Sequence, residues 1–404
     1  MWTARGGDDV VSQPLRVLLI NYELPPIGAG AGNATAHIAA CLAAVGVEVR
    51  VLTSSFGNLP AREVRDGYLI LRAPAIRRNV DRCTPAEMLS FVLGAAPLAI
   101  GIGWTWRPDV VCAFFGVPCG PLALLLRALF RVPYLVSLRG GDVPGFMGRE
   151  LAVLHRLALP AILSIWRQSE GLIANSPGLI ALARRTWPAA PIELIPNGID
   201  LEHFRPPDRR RPAHPLHLLS VGRLASQKGV IYLLRALAQT QSSACLRVLG
   251  DGPERARLER MANDLGLSRR VEFAGWAPRE DLPRHYAWAD AFVLPSLDEG
   301  MPNVVLEALA CGLPVIGTDV AGTRDLVHSE TGILVPPADS RALAAAIDRL
   351  ASDGDLVTSF GTTSREAAAA YRWEAVADRY HRALARAARR AAPQPGVQRV
   401  MGGD

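Results

Sequence analysis

The chain almost lacks lysine. Of its 44 basic residues, 43 are arginine and one, Lys228, is lysine. A composition that replaces lysine nearly everywhere leaves the exception in need of a reason. A compact ammonium supplies one, because a guanidinium fork cannot copy a point charge at a tight phosphate site. The six cysteines (41, 83, 112, 119, 245 and 311) form no C-x-x-C pair. That argues against a clustered metal or redox motif and for reduced thiols in apolar runs. Aromatics make up only 6% and the arginines are dispersed, which disfavours a nucleic-acid-binding surface. No secretory signal is visible: Asp8 and Asp9 lie near the start, and the first apolar run, Val17 to Ile20, is too short. Residues 88–106 carry no charge, but Gly94, Pro97, Gly101 and Gly103 interrupt them. A core helix or a one-sided membrane contact fits this run better than a spanning segment.

What is present is a long, half-hydrophobic chain. Its 404 residues exceed one core, so two domains are expected. The net charge of +6 favours anionic partners. Strands and helices alternate from Arg16 to Ile195, and the alternation restarts after Arg205–Pro215, a stretch of four prolines and a basic run. Strands are expected at 16–21, 47–53, 68–72, 109–115, 134–138 and 171–175, then at 216–221, 245–249, 271–274, 291–295, 314–317 and 332–335. Such alternation means parallel α/β sheets, here two doubly wound domains facing across a cleft. The expected boundaries are 1–204 for an acceptor domain, 205–215 for a hinge and 216–375 for a donor domain. A C-terminal helix, 376–392, returns to the first domain, and 393–404 forms a disordered tail. The helical pattern of 341–350 and 364–390 closes the chain.

In open α/β sheets ligands bind at the carboxyl ends of strands, and four segments there carry chemistry. Gly222, Arg223, Lys228 and Gly229 follow the first strand of the second domain, where two cations on one loop suit a diphosphate. The loop is not a Walker A sequence. Pro295–Val315 reads as strand, loop, helix and strand, with Glu299 in the loop and Glu307 a turn beyond Asn303. Pro302 falls at the first helical turn, and the N–H groups of Asn303, Val304 and Val305 face the same anion. Two carboxylates can be a glycosidase acid/base pair. Beside a helix N-terminus and two cations, however, both are expected to stay ionised, which favours binding roles. Gly28, Gly30 and Gly32 follow the first strand as G-x-G-x-G. The pattern departs from the dinucleotide G-x-G-x-x-G, and no acidic residue ends the second strand. Those glycines allow close backbone approach to a ligand or merely form a turn. Arg139 and Asp142 lie on a glycine turn at another strand end, where they contact a sugar or pair with each other.

Taken together these residues resemble the retaining glycosyltransferases of family 4, which have the GT-B fold of two Rossmann-like domains. The likeness spans nearly the whole chain: the glycine loop at 28–32, Asn197-Gly-Ile-Asp200, Gly222-Arg-Leu with Lys228-Gly229, Leu249-Gly-Asp-Gly-Pro253, Phe273-Ala-Gly275 and Pro295–Val315. It implies transfer of a sugar from a nucleotide-diphosphate sugar to a hydroxyl acceptor, in cell-surface polysaccharide, lipopolysaccharide or glycolipid synthesis. Arg223 and Lys228 would neutralise the leaving diphosphate, with Glu299 on the donor sugar and Glu307 on ribose. Gly300, Met301, Asn303, Val304 and Gly30 would line the donor, and Gly275 and Trp276 its base. Asp142 and Asn197 would lie on the acceptor side. The family's His-Gly-x-Asp turn has arginine here, Arg139. An always-charged group in that place points to a donor sugar with an anionic or differently substituted C6. No metal is expected. The lone D-x-D, Asp353-Gly354-Asp355, falls between helices. The partners implied are a nucleotide sugar, a saccharide or lipid-linked acceptor and an anionic membrane surface, with no nucleic acid. The expected location is the cytoplasm, with peripheral contact at the inner face of its membrane. The alternatives within and beyond the class are a GT-B epimerase and a nucleotide-sugar-binding protein without turnover. A phosphorylase is disfavoured because the single lysine is already placed.

Overall fold

The computed structural model describes residues 14–28, 30–80, 83–146, 152–207 and 214–391. The core of the expected linker, 208–213, and the expected tail, 393–404, lie outside the described residues.

The strands are β1 (Arg16–Ile20), β2 (Glu48–Ser54), β3 (Arg62–Arg65), β4 (Tyr68–Ala73), β5 (Val110–Phe114), β6 (Tyr134–Leu138), β7 (Gly171–Ala174), β8 (Ile192–Leu194), β9 (Leu216–Val221), β10 (Ala244–Leu249), β11 (Val271–Gly275), β12 (Ala291–Leu294), β13 (Val315–Thr318) and β14 (Gly332–Val335). Between them run α1 (Gly30–Ala44), α2 (Pro85–Thr105), α3 (Gly120–Phe130), α4 (Ala152–Gln168), α5 (Pro177–Thr186), α6 (Val230–Gln239), α7 (Arg255–Asp264), α8 (Leu282–Trp288), α9 (Asn303–Ala310), α10 (Ala321–Arg324), α11 (Ser340–Ser352), α12 (Gly354–Ala368) and α13 (Trp373–Ala391).

These strands form two sheets. The first has eight strands in the order β3-β4-β2-β1-β5-β6-β7-β8, and the second has six in the order β11-β10-β9-β12-β13-β14. The two α/β sheets are of the doubly wound kind expected, with parallel pairing wherever the register is defined except at the β3–β4 hairpin. Central strands are buried on both faces, as a parallel sheet requires: every residue of β5, β6, β12 and β13 is buried. The described residues of Met1–Ser137, Arg156–Leu172 and Ala377–Asp404 form one compact unit, and those of Leu138–His155 and Ile173–Val376 form a second.

In the first unit α2 is the uncharged run. Thr84 and Glu87 close a capping box at its start. Phe91, Ala95, Ala99 and Ile102 face the core at i, i+4, i+8 and i+11. The opposite face leaves Leu89, Leu93 and Trp104 each more than half exposed. The helix is long and apolar enough to cross a membrane by length and composition alone. Within the same unit Tyr380 stacks on Phe114 and shares a 2.8 Å hydrogen bond with Ser137.

The expectation of one helix over 364–390 is corrected. α12 ends at Ala368, a single 3₁₀ turn follows, and α13 starts at Trp373. Arg372 is extended because a tertiary contact captures the backbone there. The Ile199 N–H donates to the Tyr371 carbonyl, and Trp373 packs so closely on Gly198 that a Cβ there would lie 2.4 Å from its ring. The hairpin strand β3 was also not anticipated.

Candidate active site

In the six-stranded sheet the winding direction reverses between β9 and β12, so their carboxyl ends open a crevice at the switch point. Both loops there are built for close approach. After β9 the chain makes a short 3₁₀ turn, Ser226–Lys228, and then Gly229 takes a left-handed φ of 62° before α6. A Cβ on Gly229 would lie 2.0 Å from the Pro295 carbonyl oxygen, so only glycine lets the two loops meet. Two bonds stitch them together: the Leu297 N–H donates to the Gln227 carbonyl at 2.8 Å, and the Gln227 amide to the Asp298 carbonyl at 2.9 Å.

That approach brings Lys228 to Glu299. The lysine Nζ lies 2.6 Å from Glu299 Oε1, and the Ser296 hydroxyl donates to the same oxygen at 2.6 Å. The carboxylate is buried, whereas the lysine keeps about a quarter of its side-chain surface open. Arg223 is exposed on the same loop, and its guanidinium makes no ion pair among the described residues.

α9 begins at Asn303, one residue later than expected, with Pro302 in the cap position and no side chain bonding its first turn. Asn303 and Val304 therefore present helix N-terminal N–H groups. Val305 does not, because its N–H donates to the Pro302 carbonyl. Gly300 and Met301 complete the loop. The Gly322 N–H donates to the Glu299 carbonyl, and the Met301 sulfur accepts from the Asn197 N–H at 3.1 Å.

Asn197 joins this loop to another. Its amide donates to Asn303 Oδ1 at 2.8 Å, and its oxygen accepts from Arg139 Nη1 at 2.8 Å. Asp142 Oδ1 accepts the backbone N–H groups of Arg139 and Gly140. Asp142 thus braces the glycine turn through its backbone, and Arg139 Nη1 reaches Asn197.

Glu307 sits a turn into α9 and is buried at 5% exposure. Its Oε2 accepts the Tyr286 hydroxyl at 2.7 Å, and Arg279 Nη1 stands 3.9 Å from Oε1. Burial raises its pKa above the usual carboxylate value, opposed by the Tyr286 bond and by the Arg279 charge. The nearby cations expected to favour the charged form of both glutamates do not dominate at Glu307. Desolvation outweighs a guanidinium at that distance. The Tyr286 phenol is raised far above its ordinary value by burial and by Glu307, so it remains a donor.

Gly275 ends β11 with a φ of 78°, and its carbonyl accepts the Gly250 N–H at 2.7 Å. Trp276 follows, three-quarters exposed. Gly30 opens α1 and belongs to the other unit. The second unit thus brings together Lys228, Glu299, Asn303, Asn197, Arg139 and Asp142 through direct bonds. Sequence reading missed Ser296, Tyr286 and Arg279. Ser296 lies inside the quoted Pro295–Val315 stretch, but Tyr286 is 21 residues from its partner and carries no local signal. Among the described residues no three His, Cys, Asp or Glu side chains gather as a metal-ligand set.

Comparison with known proteins settles the family. Residues 215–353 match the family model described as Glycosyl transferases group 1, and residues 29–198 match Glycosyl transferase 4-like domain. A GDP-mannose-dependent alpha-(1-6)-phosphatidylinositol monomannoside mannosyltransferase from Mycolicibacterium smegmatis is 33% identical over 329 residues, covering 75% of this chain and 80% of that protein. The chain belongs to the group 1 glycosyltransferases. A glycogen synthase from Mycobacterium tuberculosis is 28% identical over 359 residues, 84% of this chain and 86% of its own. Among solved structures, sucrose-phosphate synthase from Thermosynechococcus elongatus superposes with a TM-score of 0.78 at 27% identity, covering 93% of this chain and 99% of that one. The GT-B fold is shared with HepE from Anabaena, solved in complex with UDP, at a TM-score of 0.72 and 19% identity over 92% of this chain and 100% of that one.

Proposed function

We propose that this glycosyltransferase moves a sugar from a nucleoside-diphosphate sugar to a hydroxyl acceptor with retention of anomeric configuration and without a metal. The observation that carries the reading is the Lys228–Glu299 pair at the switch point, one residue from the loop after β9 and one from the loop after β12. When the donor enters, Lys228 leaves Glu299 for the diphosphate, joined there by Arg223 and by the N–H groups of Asn303 and Val304. Fixed positive charge placed where negative charge develops as the leaving group departs supplies the main catalytic effect. Glu299, freed from the lysine, accepts from the donor sugar. Glu307 accepts from ribose, and Gly275 and Trp276 flank the base. Support for retention comes from the match to the 4-like and group 1 models. The relatives support a nucleotide-sugar donor but not one base, since one is named as GDP-mannose-dependent and another was solved with UDP.

Arg139 fits a donor carrying an anionic or substituted C6, and Asp142 and Asn197 stand on the acceptor side. The relatives' names favour a polysaccharide or glycolipid product. Leu89, Leu93 and Trp104 on α2, with exposed Arg78 and Arg107 flanking the uncharged run, favour an anionic membrane surface as the place where a lipid-linked acceptor is met. Such a protein works in the cytoplasm, peripheral to its membrane.

The deciding experiment is a nucleoside-diphosphate release assay over UDP- and GDP-sugars, with the product anomer read by NMR and a parallel run in EDTA. Transfer with retention, unaffected by EDTA, is expected. Inversion, loss with EDTA, or binding without turnover overturns the corresponding part. An Arg139→His variant with unchanged donor preference removes the C6 reading. Flotation on vesicles containing anionic lipid, lost in Leu93→Glu/Trp104→Glu, tests the surface, and a protein that stays wholly in the aqueous fraction overturns it.

A further inference from the structure

Each glutamate of the donor site is held by one buried hydroxyl from a neighbouring segment. Tyr286, wholly buried, donates to Glu307 Oε2 at 2.7 Å. Its ring meets Phe204 edge-on at 5.8 Å and Phe292 at a tilt at 5.9 Å. A phenol has one proton to give, and the Val304 carbonyl, at 3.3 Å, is the longer contact. Oε2 is therefore occupied, and Oε1 is the oxygen turned toward Arg279. Ser296, also wholly buried, donates to Glu299 Oε1, the same oxygen that Lys228 holds. If the lysine turns to a diphosphate, the serine bond remains and keeps the carboxylate in place.

We propose that Tyr286 and Ser296 are positioning residues for the donor: Tyr286 turns Glu307 Oε1 to the ribose diol, and Ser296 keeps Glu299 aimed at the sugar after Lys228 departs. This rests on the ribose and sugar roles given above to the two glutamates. Both side chains are wholly buried and bonded to the glutamates, so each acts through its glutamate. A hydroxyl that only stabilised the fold would affect every ligand alike. One that aims a carboxylate at the diol affects only ligands that have the diol.

The test measures binding of UDP and GDP and of their 2′,3′-dideoxy analogues to the whole protein by calorimetry. Wild type is expected to prefer the ribonucleotide by about tenfold or more, the usual worth of a hydrogen bond to a charged group. Tyr286→Phe should remove most of that preference while leaving dideoxy binding unchanged. If wild type shows no preference, the ribose role of Glu307 falls. If wild type discriminates and Tyr286→Phe still does, the positioning role of Tyr286 falls while the ribose role stands. Should the phenylalanine variant not fold, 4-fluorophenylalanine at 286 fills the hydroxyl's volume without donating, and 4-aminophenylalanine restores a donor; discrimination should be lost in the first and kept in the second. Ser296→Ala should lower kcat about tenfold with diphosphate affinity held within about twofold, and Ser296→Thr should restore it. Unchanged kcat, or a loss confined to diphosphate binding, overturns the serine half.

Discussion

The turn after β1 and the turn after β9 occupy the same place in their sheets. Each follows a central strand, carries glycines and leads into a helix beside the point where strand order reverses. Their chemistry differs. After β1 the polar groups are spent on one another: the Asn21 amide donates to Thr35 and Ala31, and its oxygen accepts the Glu23 N–H. Glu23 in turn lies 3.9 Å from Arg77. After β9 the exposed Arg223 makes no ion pair among the described residues, and Lys228 is held by a carboxylate from the neighbouring loop. A glycine turn at a switch point is therefore a scaffold. It becomes an anion site when cations project from it and a helix N-terminus faces them.

The sharpest way to break this comparison is to remove the cations. Lys228→Ala and Arg223→Ala should each lower kcat by about 10²–10³-fold, the range for losing one charge-stabilising donor. The two should part in stability. Arg223 makes no ion pair among the described residues, so its loss should leave the melting temperature unchanged. Loss of Lys228 leaves the buried Glu299 with Ser296 alone and should lower it. Equal melting temperatures would show that the pair does not persist in solution. Next in size is Gly229→Ala. With a left-handed φ and the Pro295 oxygen in the way, it should cost about 2–3 kcal/mol in urea unfolding.

Glu307→Gln is a smaller effect with a pH signature. Burial raises the folded-state pKa above 4.5, so the stability contributed by the protonated carboxyl is complete below about pH 4.5 and lost as pH rises through the folded value. Tyr286, Arg279 and His203 are the groups that offset this. The glutamine variant should therefore melt above wild type at pH 7.5, with the gap closing toward pH 4.5, while nucleoside-diphosphate affinity falls. A gap independent of pH would remove the titration argument. The smallest change lies in the other unit: Thr84→Ala breaks the capping box of α2, costs about 1 kcal/mol and leaves nucleoside-diphosphate affinity untouched.

Strand positions in both halves were legible because buried parallel strands read as apolar runs, and the second sheet follows its expected spans within one residue. The break at Tyr371–Trp373 was not legible, because the cause is Ile199 and Gly198, more than 170 residues away in sequence. Of the site, Lys228, Arg223, Glu299 and Glu307 stood out by composition and motif. Nothing local to Glu307 announced Tyr286 as its partner, or burial as the influence that outweighs Arg279.

The sequence by itself determined where charge gathers. A lone lysine, an arginine five positions before it and a helix start set two cations and free N–H groups at strand ends, and these are properties of residue type and short spacing. The tertiary structure alone decided how those groups spend their hydrogen bonds. It put Lys228 on Glu299, turned Asp142 to its own backbone and Arg139 to Asn197, and buried Glu307 under Tyr286. Burial and pairing depend on which distant segments meet, so desolvation, which raises the Glu307 pKa, enters only when the chain has folded.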